Sequence, residues 1–505
     1  MRSKKAFQNM VASISYEIVA VICGLILPRL ILSRFGSSYN GISSSITQFL
    51  SCVALLKSGV GAVTRAALYK PLEDDNSYRL SQIVNATSNF MRKIALIFIG
   101  ATIIFSCIYP FLVVSEFSWL FSASLVLIMC ISTFVQYYFG LAYSFLIEAD
   151  QKQWILQTVN IVATVLNTLF AVVLIYAGFG IHAVKLGSAI AFSINPLFIY
   201  YYASRKYRID KAIPPDNSTI KQRWDAFAQS VAYFVHNNTD IMVLTIFSSL
   251  REVSVYTVYN YVIVNIRNVL TTFVNGFGAA FGNMIARNET ETIKKNLRIY
   301  ELIIYMLVSI IYTTAGIMIV SFVSVYTEGV TDVEYKRPLF AFLVTLAGAF
   351  SCFRIPYQSI VEAAGHFKQT KNGAILEAIL NISISIALVH KLGLIGVAIG
   401  TLVATVFRSV QYAVYLSRNI VKRSIFVFFN HIIVCTIVYL ITLLITRHFY
   451  TFEVSNYISW VVKAIFVTLT SAIIATGVHL IFYRNDMLNL YSKVKEIVRI
   501  KKEKL

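Results

Sequence analysis

Eight lysine and arginine side chains lie inside long apolar runs of this sequence. At the centre of a bilayer one such charge costs at least about 2.5 kcal/mol, so it must face water, a partner or a ligand. Acidic residues are fewer in the same runs. The excess of positive charge predicts an interior that suits an anionic cargo, because a low dielectric strengthens the attraction. The eight residues are Arg29, Lys57, Arg65, Lys185, Arg267, Arg354, Arg408 and Lys463.

Their positions along the runs divide these residues into groups. Lys57 and Arg267 lie near the middle of a run and cannot easily extend to the membrane surface, so we interpret them as cavity-facing. Arg29 follows Pro28 in the outer part of the first run, and a cavity role and a structural role are equally open for it. Arg354 precedes Ile355–Pro356, where a guanidinium could satisfy the carbonyl that a kink frees.

The other four basic residues lie toward the ends of their runs. Long basic side chains at such positions can extend to the interface and leave only their stems in the apolar region. We therefore expect interfacial roles for this group, which consists of Arg65, Lys185, Arg408 and Lys463.

Three further residues are candidates for ion coupling. Glu17 lies one-third into the first run, and His236 and Asp240 are four residues apart, which places them on one face of a helix. They are predicted either to form an acidic coupling site for H⁺ or Na⁺ or to hold a substrate-binding arginine. The structural alternative is an interhelical salt bridge or hydrogen bond. A structural pair is also predicted between Glu377 and Arg354.

Composition places all these residues in a membrane protein. The chain has 505 residues, of which 57% are hydrophobic and only 13% charged, with a mean hydropathy of +0.69. One soluble core cannot hide this much apolar material. The net charge of +20 is attributed to membrane topology and anionic lipid, and no nucleic-acid partner is expected. No cofactor or metal site is expected, and the six scattered cysteines are interpreted as packing residues.

Fourteen runs are long enough to span a bilayer, since about 20 apolar residues suffice. The segments predicted to face the cytoplasm carry 30 lysines and arginines and the opposite loops carry 6, which predicts that both termini are cytoplasmic. The predicted spans are 10–33, 40–67, 81–109, 118–146, 153–177, 180–203, 222–248, 252–287, 294–325, 338–361, 368–390, 393–417, 425–447 and 457–483.

An internal repeat divides the chain into two halves. Tyr39 and Tyr256 are 217 residues apart, and the glycines at 180 and 187 match those at 393 and 400. Six spans fit one period, so both copies enter the membrane in the same sense. The predicted organisation is an N-lobe at 1–203, a cytoplasmic linker at 204–221, a C-lobe at 222–417, two extra helices at 418–483 and a basic amphipathic cytoplasmic tail at 484–505.

Several motifs resemble those of one transporter family. They are RFGSSYNG at 34–41, SGVGAVTRAAL at 58–68, NNTDIMVLTIFSSLREVSVYTVY at 237–259, and the glycine-containing runs at 180–188 and 393–401. With the 6+6+2 arrangement of spans, the chain resembles the Wzx-type O-antigen and capsule flippases of the multidrug/oligosaccharidyl-lipid/polysaccharide exporter superfamily. Lys57 departs from the pattern, because an acidic residue is expected before the glycine pair, and no family role is carried over to that position.

The resemblance implies an all-α integral membrane protein with a V-shaped pair of six-helix lobes. It implies that the protein is not an enzyme but moves undecaprenyl-pyrophosphate-linked oligosaccharide to the outer leaflet of the bacterial cytoplasmic membrane by alternating access. Arg29, Lys57 and Arg267 would bind the pyrophosphate or the sugars. The expected partners are this substrate, membrane lipids and the polysaccharide polymerase machinery.

Two alternatives remain open. A cation-coupled multidrug antiporter would have the same fold, although a cationic drug favours an acidic cavity rather than a basic one. A membrane polysaccharide polymerase or glycosyltransferase would need a large outer loop or an acidic cluster at the membrane face, and the sequence has neither.

Overall fold

The structure is a computed structural model that describes residues 2–53, 60–113, 116–216, 238–287, 289–449 and 453–503. These parts of the chain form helices joined by short connections, and no strand occurs in them. An all-helical arrangement satisfies every backbone hydrogen bond within a segment, which is what a bilayer requires of a polypeptide without a closed sheet. The predicted all-α fold class is therefore confirmed.

The helices of the first half are α1 to α9, and a π-helical segment at Gln136–Gly140 joins α5 to α6. Their bounds are α1 Arg2–Phe35, α2 Ser37–Val53, α3 Val60–Glu73, α4 Ser77–Leu112, α5 Trp119–Val135, α6 Leu141–Ala149, α7 Gln153–Tyr176, α8 Ile181–Lys206 and α9 Asn238–Phe247.

The helices of the second half are α10 to α18. Their bounds are α10 Leu250–Ala286, α11 Thr290–Tyr326, α12 Pro338–Phe353, α13 Ile355–Ala363, α14 Phe367–Leu392, α15 Leu394–Asn419, α16 Phe426–Phe449, α17 Tyr457–Phe482 and α18 Arg484–Glu503.

Within the described residues, eleven helical segments are long and apolar enough to cross a membrane. Each coincides with one of the fourteen predicted spans. The other three predictions correspond to α2 with α3, to α9 and to α10. Large apolar side chains are exposed on these helices, for example Leu120 at 73% and Ile473 at 73%. Such a surface is stable in lipid and not in water, so the chain is a multi-pass membrane protein.

The helices form two compact units. The first contains Met1–Ser254 with Gly329–Val333, and the second contains Val255–Glu328 with Glu334–Leu505. In the first unit the short segment that includes Asp332 is held by α2, because the backbone N–H and the hydroxyl of Ser37 both donate to its carboxylate at 2.7 Å. The second unit has a large core of aromatic and aliphatic side chains from α10 to α16.

One span in each half is broken at a corresponding place. In the first half the π-helical segment interrupts the span between α5 and α6, and in the second half the span breaks at Arg354, before Pro356. The broken spans end at Ala149 and Ala363, which are 214 residues apart as in the sequence repeat. In each half the two helices that follow, α7 with α8 and α14 with α15, pack against each other.

Gly140 permits the close approach of two helices at the π-helical segment. A Cβ atom at this position would lie 2.5 Å from Pro196 Cβ and 3.0 Å from Pro196 Cα. Because the α8 backbone at the proline cannot move aside easily, only glycine fits between these helices.

We predict that Gly140→Ala lowers the free energy of unfolding by about 1–3 kcal/mol, since it overpacks a close helix contact. The matched control is Gly100→Ala in α4, where an added Cβ meets nothing within 4 Å and should stabilise the helix by about 0.5–1 kcal/mol. Thermal unfolding of the purified protein in detergent measures both changes. Equal midpoints for the two variants would contradict the packing argument.

Candidate functional site

Of the six predicted site residues, Lys57 and His236 lie outside the described residues. The other four occupy different environments. Arg29 is partly buried on α1, Glu17 is exposed on the same helix, and Arg267 is partly buried on α10. Asp240 on α9 is only 6% exposed. Glu17, Arg29 and Asp240 belong to the first unit and Arg267 to the second.

The position of Asp240 is fixed by polar contacts between α9 and α2. Gln48 donates to Asn238 Oδ1 at 2.6 Å, and one to two turns further along α9 the Thr245 hydroxyl donates to Ser45 Oγ at 2.9 Å. The Tyr109 hydroxyl of α4 donates to the same Ser45 at 3.0 Å. These buried hydrogen bonds fix the rotation of α9 and with it the direction of Asp240.

Arg267 lies where α10 meets α11 and α12. Its charge acts electrostatically on Tyr312 and on Cys352, whose Sγ is 3.4 Å from the Tyr312 hydroxyl oxygen. Gly348 makes this packing possible, because a Cβ there would lie 2.7 Å from side-chain atoms of Ile263 and Tyr312. The mid-span arginine therefore has polar neighbours within its own unit.

Two adjoining cavities lie inside the first unit. The Glu148 cavity has a volume of about 400 Å³ and is lined by Glu148, Asn160 and Asn195, among others. The Lys185 cavity has a volume of about 370 Å³ and is lined by α1, α2, α5, the π-helical segment, α7 and α8. Four residues line both cavities, namely Ser132, Thr133, Gln136 and Phe192. The two cavities therefore form one continuous space in the first unit, with a mixed polar and apolar lining.

The prediction that Lys185 extends to the interface stays a prediction. Lys185 is partly buried and lines the second cavity of the first unit. It lies one turn inside α8, and the side chains around it come from five other elements. Ser188, three residues further along α8, lines the same cavity. Helical spacing of the lysine and this serine was the signal available in the sequence.

The prediction that Arg408 extends to the interface is wrong, whereas the predicted pair between Glu377 and Arg354 is confirmed. Arg354 Nη1 donates to Glu377 Oε1 at 2.8 Å, and Arg408 Nε lies 3.5 Å from the other carboxylate oxygen. Arg408 is 5% exposed and donates to the Thr370 carbonyl and to the Tyr412 hydroxyl, each at 2.9 Å. Its partners lie within the bundle, so it has no reason to extend to the membrane surface.

Two further ion pairs neutralise charged side chains, one in each unit. Arg423 Nη1 donates to Glu301 Oε2 at 2.7 Å, and its second nitrogen donates to the other oxygen of this fully buried carboxylate. Arg65 donates to Glu148 at 2.7 Å, with both side chains about one-third exposed. Arg65 is therefore a partner of the carboxylate that lines the Glu148 cavity.

We predict that Glu377→Gln destabilises the protein by about 3–5 kcal/mol, because two buried arginines then lose their counter-charge. Glu362→Gln is the matched control, since Glu362 is exposed and accepts only a hydrogen bond from Gln358. Thermal unfolding in detergent would compare the two variants. An unchanged midpoint for Glu377→Gln would mean that the buried carboxylate does not stabilise the fold.

The fold is that of known membrane exporters. A structure described as lipid II flippase MurJ in an inward closed conformation has a TM-score of 0.72 with this chain at 16% identity, covering 94% of this chain and 99% of MurJ. An inward-facing multidrug resistance MATE family transporter of the MOP superfamily has a TM-score of 0.62 at 14% identity, over 81% of this chain and 98% of the transporter. For the Vibrio cholerae MATE transporter VcmN the TM-score is 0.54 at 13% identity, over 82% of this chain and 97% of VcmN.

No protein-family model matches the sequence, and no curated protein matches it by sequence. At 13–16% identity these likenesses establish a shared fold. A cargo is a property of side chains in a site and not of a fold, so the cargo must be argued from the charges of this chain.

Proposed function

We propose that this protein moves an undecaprenyl-pyrophosphate-linked oligosaccharide from the inner to the outer leaflet of the bacterial cytoplasmic membrane. The translocation occurs by alternating access and serves the assembly of a surface polysaccharide. The observation that carries this proposal is the likeness to a lipid II flippase over 94% of the chain. Because that likeness concerns the fold, the proposal also depends on the positive charge inside the spans.

The pyrophosphate is the part of the substrate that these charges would hold. Arg29, Lys57 and Arg267 are the proposed binding residues. An arginine can donate two parallel hydrogen bonds to phosphoryl oxygens, and a lysine contributes a compact charge. In a site shielded from bulk water this attraction offsets the loss of hydration of the diphosphate.

The proposed driving force is the entry of H⁺ or Na⁺ at an acidic site. Asp240 is the leading coupling residue, because it is 6% exposed on a helix whose rotation is fixed by hydrogen bonds to α2. Glu17 and His236 are the further candidates. A cation that binds a buried carboxylate in one conformation only would shift the equilibrium between conformations.

The second candidate function is a cation-coupled multidrug antiporter. The likeness to the MATE transporters, with TM-scores of 0.62 and 0.54, favours it. A cationic drug, however, needs acidic side chains at its site, whereas the charges inside these spans are mainly basic. A polymerase or glycosyltransferase activity receives no support from these exporter structures.

The test is a deletion strain in which no second flippase can act. We expect undecaprenyl-pyrophosphate-linked oligosaccharide to accumulate on the inner leaflet and the wild-type gene to remove it. Arg267→Ala and Lys57→Ala should leave it accumulated at normal protein levels, because the pyrophosphate loses charge-assisted hydrogen bonds. Lys391→Ala is the matched control, since this lysine is exposed at the end of α14 and should behave as wild type.

Each outcome of this experiment has one meaning. Accumulation that Arg267→Ala and Lys57→Ala also remove would retain the flippase and overturn the assignment of its binding residues. If deletion causes no accumulation, the flippase proposal fails and drug export becomes the leading function.

We predict that Asp240→Asn slows translocation by about tenfold or more, within the usual range of a coupling free energy. The asparagine keeps the shape of the side chain but cannot carry the charge that binds H⁺ or Na⁺. Glu73→Gln, at an exposed position at the end of α3, is the control and should have no effect. The measurement is the rate of substrate appearance on the outer leaflet under an imposed ion gradient. A normal, gradient-dependent rate in Asp240→Asn would exclude Asp240 as the coupling residue.

A further inference from the structure

The Lys185 cavity contains a partly buried positive charge for which the described lining supplies no counter-charge. Among the described residues that line this cavity, Lys185 is the only charged one. Within the part of the chain that the structure describes, its ammonium group has no hydrogen bond or ion pair, and no carboxylate acts on it electrostatically. Three arginines inside the second unit differ, because Arg354, Arg408 and Arg423 each contact a glutamate.

A second polar group faces the same cavity without a partner. Asn167 on α7 is 6% exposed, and its Oδ1 makes no hydrogen bond to any described residue. A buried polar atom left in this state costs about 1–3 kcal/mol. Two independent observations, an unpaired ammonium and an unpaired amide, therefore indicate that a ligand completes this site.

The other polar groups offer both donors and acceptors. The hydroxyls of Thr47, Ser51 and Ser188 donate to carbonyls of their own helices, which leaves their oxygens as acceptors for a ligand. The side-chain hydroxyls of Ser132 and Thr133 make no hydrogen bond to another described residue and remain able to donate. A halide ion accepts hydrogen bonds only, so it would bind the donors of this lining and leave the acceptors without a partner.

The size of the space agrees with a small organic ligand. A volume of about 370 Å³ lies at the lower end of the usual range for small-molecule sites, about 300–1,000 Å³. One acidic monosaccharide has a single carboxylate for Lys185 and several hydroxyl groups that both donate and accept. The adjoining Glu148 cavity, of about 400 Å³, leaves room for the rest of a glycan.

We propose that the Lys185 cavity binds an acidic sugar residue, with its carboxylate on the Lys185 ammonium group and its hydroxyls on the polar lining. This proposal rests on the proposed function, because it makes the transported oligosaccharide an anionic one that contains a carboxylated sugar. The carboxylate would bind at Lys185, whereas the diphosphate is assigned to Arg29, Lys57 and Arg267.

The test measures the binding of glucuronate to the purified full-length protein in detergent, with glucose and chloride as separate probes. We expect glucuronate to bind, and we expect glucose and chloride to bind at least about tenfold more weakly. Glucose lacks the carboxylate, and chloride lacks the hydroxyl groups. Lys185→Met should lose the preference for glucuronate over glucose. Lys391→Met removes the same charge from an exposed position and should keep the preference.

A second variant keeps the test valid if Lys185→Met does not fold. Thr47→Val preserves the shape of the side chain and removes one acceptor of the cavity. It should weaken glucuronate binding severalfold while chloride binding, which uses donors only, stays unchanged. Equal binding of glucuronate and glucose, stronger binding of chloride than of glucuronate, or glucuronate binding that survives Lys185→Met would each overturn the proposal. Because this assay needs no translocation, a failure here is distinguishable from a failure of the flippase function.

Discussion

A charge inside an apolar span must be solvated by the protein itself, and the rest of this structure depends on that constraint. Removing an ion from water costs several kcal/mol, which only a counter-charge, hydrogen bonds or enclosed water can offset. In the second unit, Glu377 is the counter-charge of two arginines, and Glu301 binds Arg423 through both carboxylate oxygens. In the first unit, Lys185 instead lines a cavity with a mixed polar and apolar lining.

The charged residues inside the two units therefore have different roles, although the sequence repeat gives both halves the same order of helices. A carboxylate that is saturated by arginines fixes helices against one another and has little capacity left for a ligand. A lysine in a cavity has three donors that a ligand can use. The sequence repeat thus preserves the order of the helices, while the distribution of charged residues differs between the halves.

The sequence alone was sufficient for the membrane class, for the eleven spans that the described residues show and for one ion pair. A bilayer offers the backbone no hydrogen-bond partners, so apolar runs of span length favour helices. The helices α4, α11 and α17 could therefore be predicted with little error. The pair between Arg354 and Glu377 was predictable because both residues lie inside neighbouring spans. Arg408 was misassigned because position along a helix says nothing about which neighbour a side chain faces. That depends on helix rotation, which close contacts such as Gly140 on Pro196 determine.

The π-helical segment at Gln136–Gly140 changes the direction in which the residues of its span point around the helix axis. Ser132, Gln136, Gly140, Ser144 and Glu148 recur every four residues, and all line the Glu148 cavity. At 3.6 residues per turn a four-residue repeat drifts by about 40° per step, so on a uniform α-helix it would wind about 160° around the axis. The wider π turn, with its i→i+5 hydrogen bonds, rotates less per residue and reverses part of that drift. One additional residue in one turn thereby keeps a polar stripe facing a single cavity along the length of the span.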